Sequence, residues 1–289
     1  MKILVLGGKG MAGHVISLYF NEKGHDVIVF SRTPFFYTKN IIGDVFNTEQ
    51  LKNVLNDDYD VVINCIGLLN RFAEDNIAHA VFINSYLSHF IVGELKDRKT
   101  KLIHLSTDCV FRGNTGPYDE NSFCDGYTIY DKTKALGELM DDKNLTFRNS
   151  IIGPDMNSSG IGLFNWFMLQ SDAINGYTKA IWTGVTTLTL AKAIESAVKE
   201  DVCGLYHLVN NEYISKYDLL CLFNKYFRND TLAINGTDFF VLDKSLVNTR
   251  TDLSFKVPSY EKQIKEMRQW VDNHIELYPH YNFLIKPTC

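Results

Sequence analysis

Cysteine is sparse and unpatterned in this sequence: six residues, at positions 65, 109, 124, 203, 221 and 289, with no C-x-x-C pair. Most fall inside apolar runs, so they read as core thiols of a reducing compartment, and the spacing argues against a disulfide framework or a metal site. Long hydrophobic runs are missing too. None approaches the roughly 20 residues needed to span a bilayer, so no membrane partner is expected. Positive charge is in deficit, with 29 Lys and Arg against 34 Asp and Glu and a formal net charge of -5. Phosphate neutralisation needs concentrated cations, so a general nucleic-acid surface is excluded and small molecules are the expected partners. There is no internal repeat, no low-complexity segment and no linker rich in Gly, Ser or Pro. The apolar start MKILVLGGKGMAGHVI breaks into glycines too soon for a secretory h-region, which points to a cytoplasmic protein. The sequons at Asn144, Asn157, Asn229 and Asn235 then read as chance matches.

What is present is ample core material: 289 residues, 45% of them hydrophobic and 22% charged, enough for one large or two smaller domains. KILVLG reads as a buried strand, followed at once by glycines and by an amphipathic helix from about Met11 to Lys23. Gly7, Gly10 and Gly13 have the spacing G-x-x-G-x-x-G. Gly7 permits a tight turn, Gly10 lets backbone approach a pyrophosphate, and Gly13 lets helix and strand pack closely; with Met11 they open a helix whose N-terminus favours an anion. This is the opening unit of a nucleotide-binding α/β fold.

The second strand, DVIVFSR, ends on Ser31 and Arg32 where an NAD-binding chain would carry a carboxylate. Arg32 suits a 2′-phosphate, so NADP is favoured, with NAD as the alternative; an ordinary solvated Arg is the competing reading. The third strand, KNIIGDV, ends at Asp44, which suits either an adenine amino group or the N-cap of the helix TEQLKNVL. A fourth strand, YDVVINCIG, ends on the small residues from Asn64 to Gly67, so Cys65 and Gly67 are placed where a cofactor crosses the sheet edge. AEDNIAHAVFINSYLSHFIVGELKD reads as one long helix with Asn84 buried inside it, either functional or a satisfied core amide.

The fifth strand, KLIHLS, leads into Thr107, and YDKTKALGEL reads as a helix on which Tyr130 and Lys134 share a face one turn apart. A cation beside a phenol lowers its pKa, which makes Tyr130 a usable proton donor and acceptor, and Thr107 is placed to hydrogen-bond the same substrate oxygen. Between strand and helix lies a long polar stretch, Phe111 to Tyr127, a candidate lid or substrate wall. NLTFRNSIIGP reads as a sixth strand. Beyond it come a short apolar helix in GLFNWFMLQ, a helix TTLTLAKAIESAVKE, a strand GLYHLVN, and helices capped by Ser215 and Ser259. The expected organisation is a cofactor domain over 1–150, segments near 185–210 returning to it, and a mainly substrate-binding region over 151–289.

The glycine loop, the S-T-D strand end, the V-F-x-G-x-x-G-P-Y-x-E loop and the Y-x-x-x-K helix continuing into L-G-E together resemble the extended short-chain dehydrogenase/reductases. Within them the chain is most similar to the dTDP-4-dehydrorhamnose reductase group, through the S-K-Y-D-L and L-x-N-T-R segments. The resemblance implies a Rossmann-type doubly wound parallel sheet with a smaller C-terminal α/β substrate region. It also implies NADPH-dependent reduction of a nucleotide-linked 4-keto-6-deoxyhexose, carried by dTDP or UDP, for deoxysugar synthesis. Tyr130 would be the acid, Lys134 would lower its pKa and hold the nicotinamide ribose, and Thr107 would bind the carbonyl. Cys109 and Asp131 depart from relatives that carry Tyr and Gly there; Asp131 is expected to point away from Tyr130. Trp166, Tyr177, Trp182 and Arg250 are candidates for stacking or phosphate pairing. Asp108-Cys109 in place of a D-E pair speaks against a dehydratase. An epimerase of the same fold and a non-catalytic, cofactor-binding regulatory subunit are the alternatives, and a homodimer is compatible with each.

Overall fold

The computed structural model describes residues 1–281; Cys289 lies outside them. Seven parallel strands form the central sheet. β1 (Lys2–Leu6), β2 (Asp26–Ser31), β3 (Lys39–Ile42), β4 (Val61–Asn64), β5 (Lys101–Leu105) and β6 (Leu145–Arg148) are joined by the late strand Gly204–His207. Across the sheet the order is Gly204–His207, β6, β5, β4, β1, β2, β3. The inner strands β1, β2 and β4 are apolar almost without interruption between their end residues, because helices cover both faces. One core lies between the sheet and the helices α1 (Met11–Glu22) and Thr187–Lys199. The other lies under α2 (Thr48–Leu55) and Leu87–Glu94. The doubly wound α/β architecture is therefore as expected, and the order reverses beside β1, where such sheets open a crevice at their carboxyl ends.

The single long helix expected from Ala73 onward is broken. Asn76, with φ −143° and ψ 85°, ends the helix Asn70–Asp75, and its side chain caps the next turn by accepting from His79 N at 3.1 Å. A π-helical turn, Val81–Tyr86, then precedes Leu87–Glu94. The wider turn aims Asn84 and Ser85 inward, both buried, and Ser85 Oγ donates to the Thr133 carbonyl at 2.7 Å. Gly137 allows this contact, since a Cβ there would lie 2.0 Å from the Asn84 carbonyl oxygen.

The sixth strand is likewise two. β6 stays in the main sheet, while Ser150–Ile152 pairs with Gly184–Thr186 outside it. Other small sheets join Ile174–Tyr177 to Ile234–Thr237, and Ala180–Trp182 to Ile214–Ser215 and Leu242–Asp243. Ser215 caps Lys216–Arg228 as expected, accepting from Asp218 N at 3.0 Å. Ser259 precedes Tyr260–Asn273 without a capping bond. There the Gln263 amide reaches back to the Pro258 carbonyl at 2.9 Å. Five of the six cysteines are described, all free and only partly buried, so they line the edges of the cores more than their centres.

Candidate active site

A cavity of about 670 Å³ opens at the carboxyl ends of β1, β2 and β4. Gly7, Gly10, Ser31, Arg32, Asp44, Cys65 and Gly67 line it, together with Lys9, Phe46, Ile66, Leu68 and Ile83. Gly7 turns at φ +80°, and a Cβ on Gly13 would lie 2.2 Å from the Gly7 carbonyl oxygen, so only glycine lets α1 start so close to the loop. A Cβ on Gly10 would meet nothing nearer than 3.5 Å, which leaves open space above the first turn of α1. That turn has no acidic residue and no side-chain cap, so its first N–H groups, next to Gly10 on the cavity lining, have no side-chain acceptor. Arg32 and Lys9 are exposed at its rim. Lys9 escaped the sequence reading; its signal was a cation set between the motif glycines.

The remaining predicted cofactor residues fall into two groups. Ser31 lines the cavity, but its hydroxyl already donates to the Thr33 carbonyl and accepts from the Asn40 amide. Asp44 is not the N-cap of α2. Asn47 holds that place, accepting from Gln50 N at 3.1 Å, while the Asp44 carboxylate accepts from Phe46 N beside the cavity. Burial pushes the Cys65 thiol up to about 12, which leaves it a neutral wall. Met11, Gly13 and Asn84 are not on the lining. Met11 meets Gly162, where an added Cβ would come 2.9 Å from its Sδ. Asn84 has all its partners within the protein: it accepts from Leu68 N at 2.8 Å and donates to Leu68 O at 2.9 Å and Thr133 Oγ1 at 3.1 Å. It thereby clips the cavity wall to the helix Ile129–Leu136.

Thr107, Tyr130 and Lys134 come together at the carboxyl end of β5, all buried. Leu68, at the edge of the cavity, packs against the cluster of Ala73, Ala80 and Tyr130, as do Cys109 and Ile129. The Thr107 hydroxyl donates to Asp108 Oδ1 at 3.1 Å and accepts from Cys109 N at 3.1 Å. Burial pushes the Tyr130 phenol up, Cys109 and Asp108 add to this, and a hydrogen bond with Thr107 opposes it. Lys134 is not among the largest influences on the phenol. The lysine donates instead to the Leu105 carbonyl at 2.6 Å, and burial pulls the ammonium itself down to about 8 against the pull of Glu138. Asp131 does not simply point away. It is buried and forms a capping box with Thr128, and its charge adds slightly to the upward push on Tyr130.

The Phe111–Tyr127 stretch is a wall docked at a few points, with Phe111, Gly113 and Tyr118 buried. Phe111 and Tyr118 stack with centroids 4.1 Å apart, and the Tyr118 hydroxyl accepts from Gly113 N and Thr115 N at 3.2 Å each. Glu120 accepts from His207 N at 3.2 Å and from the Thr249 hydroxyl at 2.7 Å. Between these anchors Arg112, Asn114, Thr115, Pro117, Asn121, Phe123 and Tyr127 are exposed to solvent. Of the stacking candidates, Trp182 is core, tilted against Tyr260, whereas Trp166 and Tyr177 are half exposed. Arg250 is committed to structure: it pairs with Asp252 and donates to the carbonyls of Cys203 and Leu205 at 2.7 and 2.8 Å.

A family model described as "RmlD substrate binding domain" matches residues 1–152. A probable low-salt glycan biosynthesis reductase of Haloferax volcanii is 27% identical over 232 residues, covering 75% of this chain and 77% of its own. A methionine adenosyltransferase 2 subunit beta of Xenopus tropicalis is 24% identical over 242 residues, 76% of this chain and 70% of its own. Among solved structures, a dTDP-4-dehydrorhamnose reductase of Bacillus anthracis in complex with NADP superimposes with a TM-score of 0.76 at 20% identity. That match covers 92% of this chain and 98% of the other.

Proposed function

Since the chain belongs to the RmlD substrate binding domain family, we propose that it is an NADPH-dependent reductase of the 4-keto group of a nucleotide-linked 4-keto-6-deoxyhexose. The observation that carries this reading is the convergence of buried Thr107, Tyr130 and Lys134 beside the Leu68 edge of a glycine-floored cavity. The cavity fits an anionic dinucleotide. The open space above Gly10 and the free N–H groups of α1 suit a pyrophosphate, and Arg32 with Lys9 suits a 2′-phosphate. Bound there, NADPH supplies the hydride for the carbonyl carbon.

The rest falls to the chain's own side chains. Tyr130 holds its proton at neutral pH because it is buried, and it gives that proton to the carbonyl oxygen as negative charge gathers there. The Thr107 hydroxyl, turning from Asp108, donates a second hydrogen bond to the same oxygen. Lys134, charged below about pH 8, stabilises the phenolate left behind. The docked wall from Phe111 to Tyr127 lies between these groups in sequence and would meet the sugar.

The test is to offer NADPH with a panel of dTDP-, UDP-, GDP- and CDP-4-keto-6-deoxy sugars and follow absorbance. Oxidation with at least one is expected, reduced by a factor of about 10² to 10⁴ in Tyr130→Phe. No oxidation with any of them overturns the reading. A second reading, a cofactor-binding regulatory subunit, is favoured by the likeness to the Xenopus subunit beta. It predicts co-purification with a second polypeptide and no reduction of any member of the panel.

A further inference from the structure

Behind the reacting groups sits a buried ion pair that the mechanism above leaves unused. The side chains of Glu138 and Arg148 are each 1% exposed. Arg148 Nε donates to Glu138 Oε1 at 2.8 Å and Nη2 to Oε2 at 2.5 Å. Ser106 Oγ, next to Thr107, donates to the same Oε1 at 2.5 Å. Glu138 follows Lys134 by four residues, just past the end of their helix, and is the carboxylate that opposes the loss of the lysine's charge.

The other side of Arg148 faces the substrate wall. Nη2 reaches Cys124 Sγ at 3.5 Å, Nη1 meets His207 Nε2 at 2.9 Å, and the guanidinium lies over the Phe111 ring at 5.0 Å. A guanidinium only donates and a carbonyl only accepts. His207 Nε2 is therefore the unprotonated nitrogen, and its Nδ1–H donates to the Val247 carbonyl at 2.9 Å. His207 is thus a neutral link to the L-x-N-T-R segment.

We propose that Glu138, anchored by Arg148, is a positioning residue of this site: its carboxylate, four residues past Lys134, holds the Ser106–Thr107 strand end in place beside the lysine, while Arg148 locks the substrate wall to the same point. This rests on the reductase reading for its consequence in catalysis. Filling the space does not require ions, since apolar residues of similar volume often serve as well or better in a buried site. What an ion pair adds is a fixed negative charge beside a buried ammonium. The groups facing Lys134 are Glu138 from its own chain segment, the Leu105 carbonyl, and His104 of β5, which burial keeps neutral. Those facing Glu138 are Ser106, Arg148, Cys124 and His207.

The experiment is an NMR titration of the full chain carrying ε-¹³C lysine, with Lys134 assigned by its loss in Lys134→Arg. The wild-type midpoint is expected near the value of about 8. Glu138→Gln should lower it by about half a pH unit or more, and kcat should fall about tenfold with NADPH affinity held within about twofold. Glu138→Asp keeps the charge but shortens the reach, so it should restore the midpoint and leave kcat low. Should the lone guanidinium prevent Glu138→Gln from folding, Glu138→Gln/Arg148→Met, neutral at both positions, carries the same titration with the same expected fall. An unmoved midpoint in either folded variant overturns the proposal whatever the activity. If the wild type reduces no 4-keto sugar, the reductase reading has failed, and the midpoint still decides the role of Glu138.

Discussion

At the scale of single residues, burial governs the chemistry more than pairing does. Tyr130 and Lys134 share a helix face as their spacing requires, yet each is shifted first by desolvation, the phenol upward and the ammonium downward. Both shifts favour the neutral forms. Because the proposed role of Lys134 needs the ammonium, activity is present below its pKa and lost as pH rises through it. A plot of kcat against pH should therefore be level in the neutral range and fall above about 8. Cofactor choice offers a second residue-scale check. Arg32 and Lys9 stand exposed at the cavity rim, and a phosphate contact by Arg is a charge-assisted, often bidentate bond. Arg32→Ala should raise KM for NADPH about tenfold and leave KM for NADH nearly unchanged, since only the former carries the phosphate. Equal effects on both would show that the arginine is an ordinary surface residue.

At the scale of elements, the informative feature is the helical segment that did not form as one piece. Its sequence has apolar residues at helical spacing throughout, and local pattern alone gives no reason to interrupt it. The interruption comes from packing: the π turn at Val81–Tyr86 carries Asn84 against Leu68 and Thr133, and Gly137 lets the two helices approach. Asn84→Ala would leave the Leu68 N–H, which it now satisfies, without its partner. Urea denaturation of that variant should show a loss of about 2 to 3 kcal/mol, the penalty for a buried polar group left unpaired. A loss no larger than that of an ordinary surface alanine would mean that the turn relaxes without Asn84.

At the scale of the whole molecule, the sheet is completed by a strand from far along the chain. Gly204–His207 pairs with β6, and Thr187–Lys199 covers α1. A fragment of residues 1–150 would therefore expose one face of α1 and an unpaired edge on β6. It should aggregate or elute as an expanded species on gel filtration, while the full chain elutes as a compact one. The proposed division into a cofactor domain and a substrate region is thus a division of surfaces, with the chain crossing between them. No described helix is long and apolar enough to cross a membrane.

Much of this was legible in the residue order. Strand ends, the glycine turn and the Tyr–Lys spacing are local patterns, and local backbone preference with hydrophobic period fixes them before any long-range contact forms. The sequence by itself therefore determined the doubly wound sheet and the line of residues along its carboxyl edge. It could not determine which polar side chains would find partners, because partners come from elements distant in the chain. Arg250 reads as a free phosphate ligand until Asp252 and the carbonyls of Cys203 and Leu205 are seen to occupy it. Asp44 reads as either an adenine acceptor or a cap until Asn47 takes the capping place. Glu138 is, in the sequence, only the last letter of the L-G-E motif; Arg148, ten residues on, pairs with it in the interior behind the reacting lysine. Only the tertiary structure settles burial, and burial sets the charge that Tyr130 and Lys134 carry.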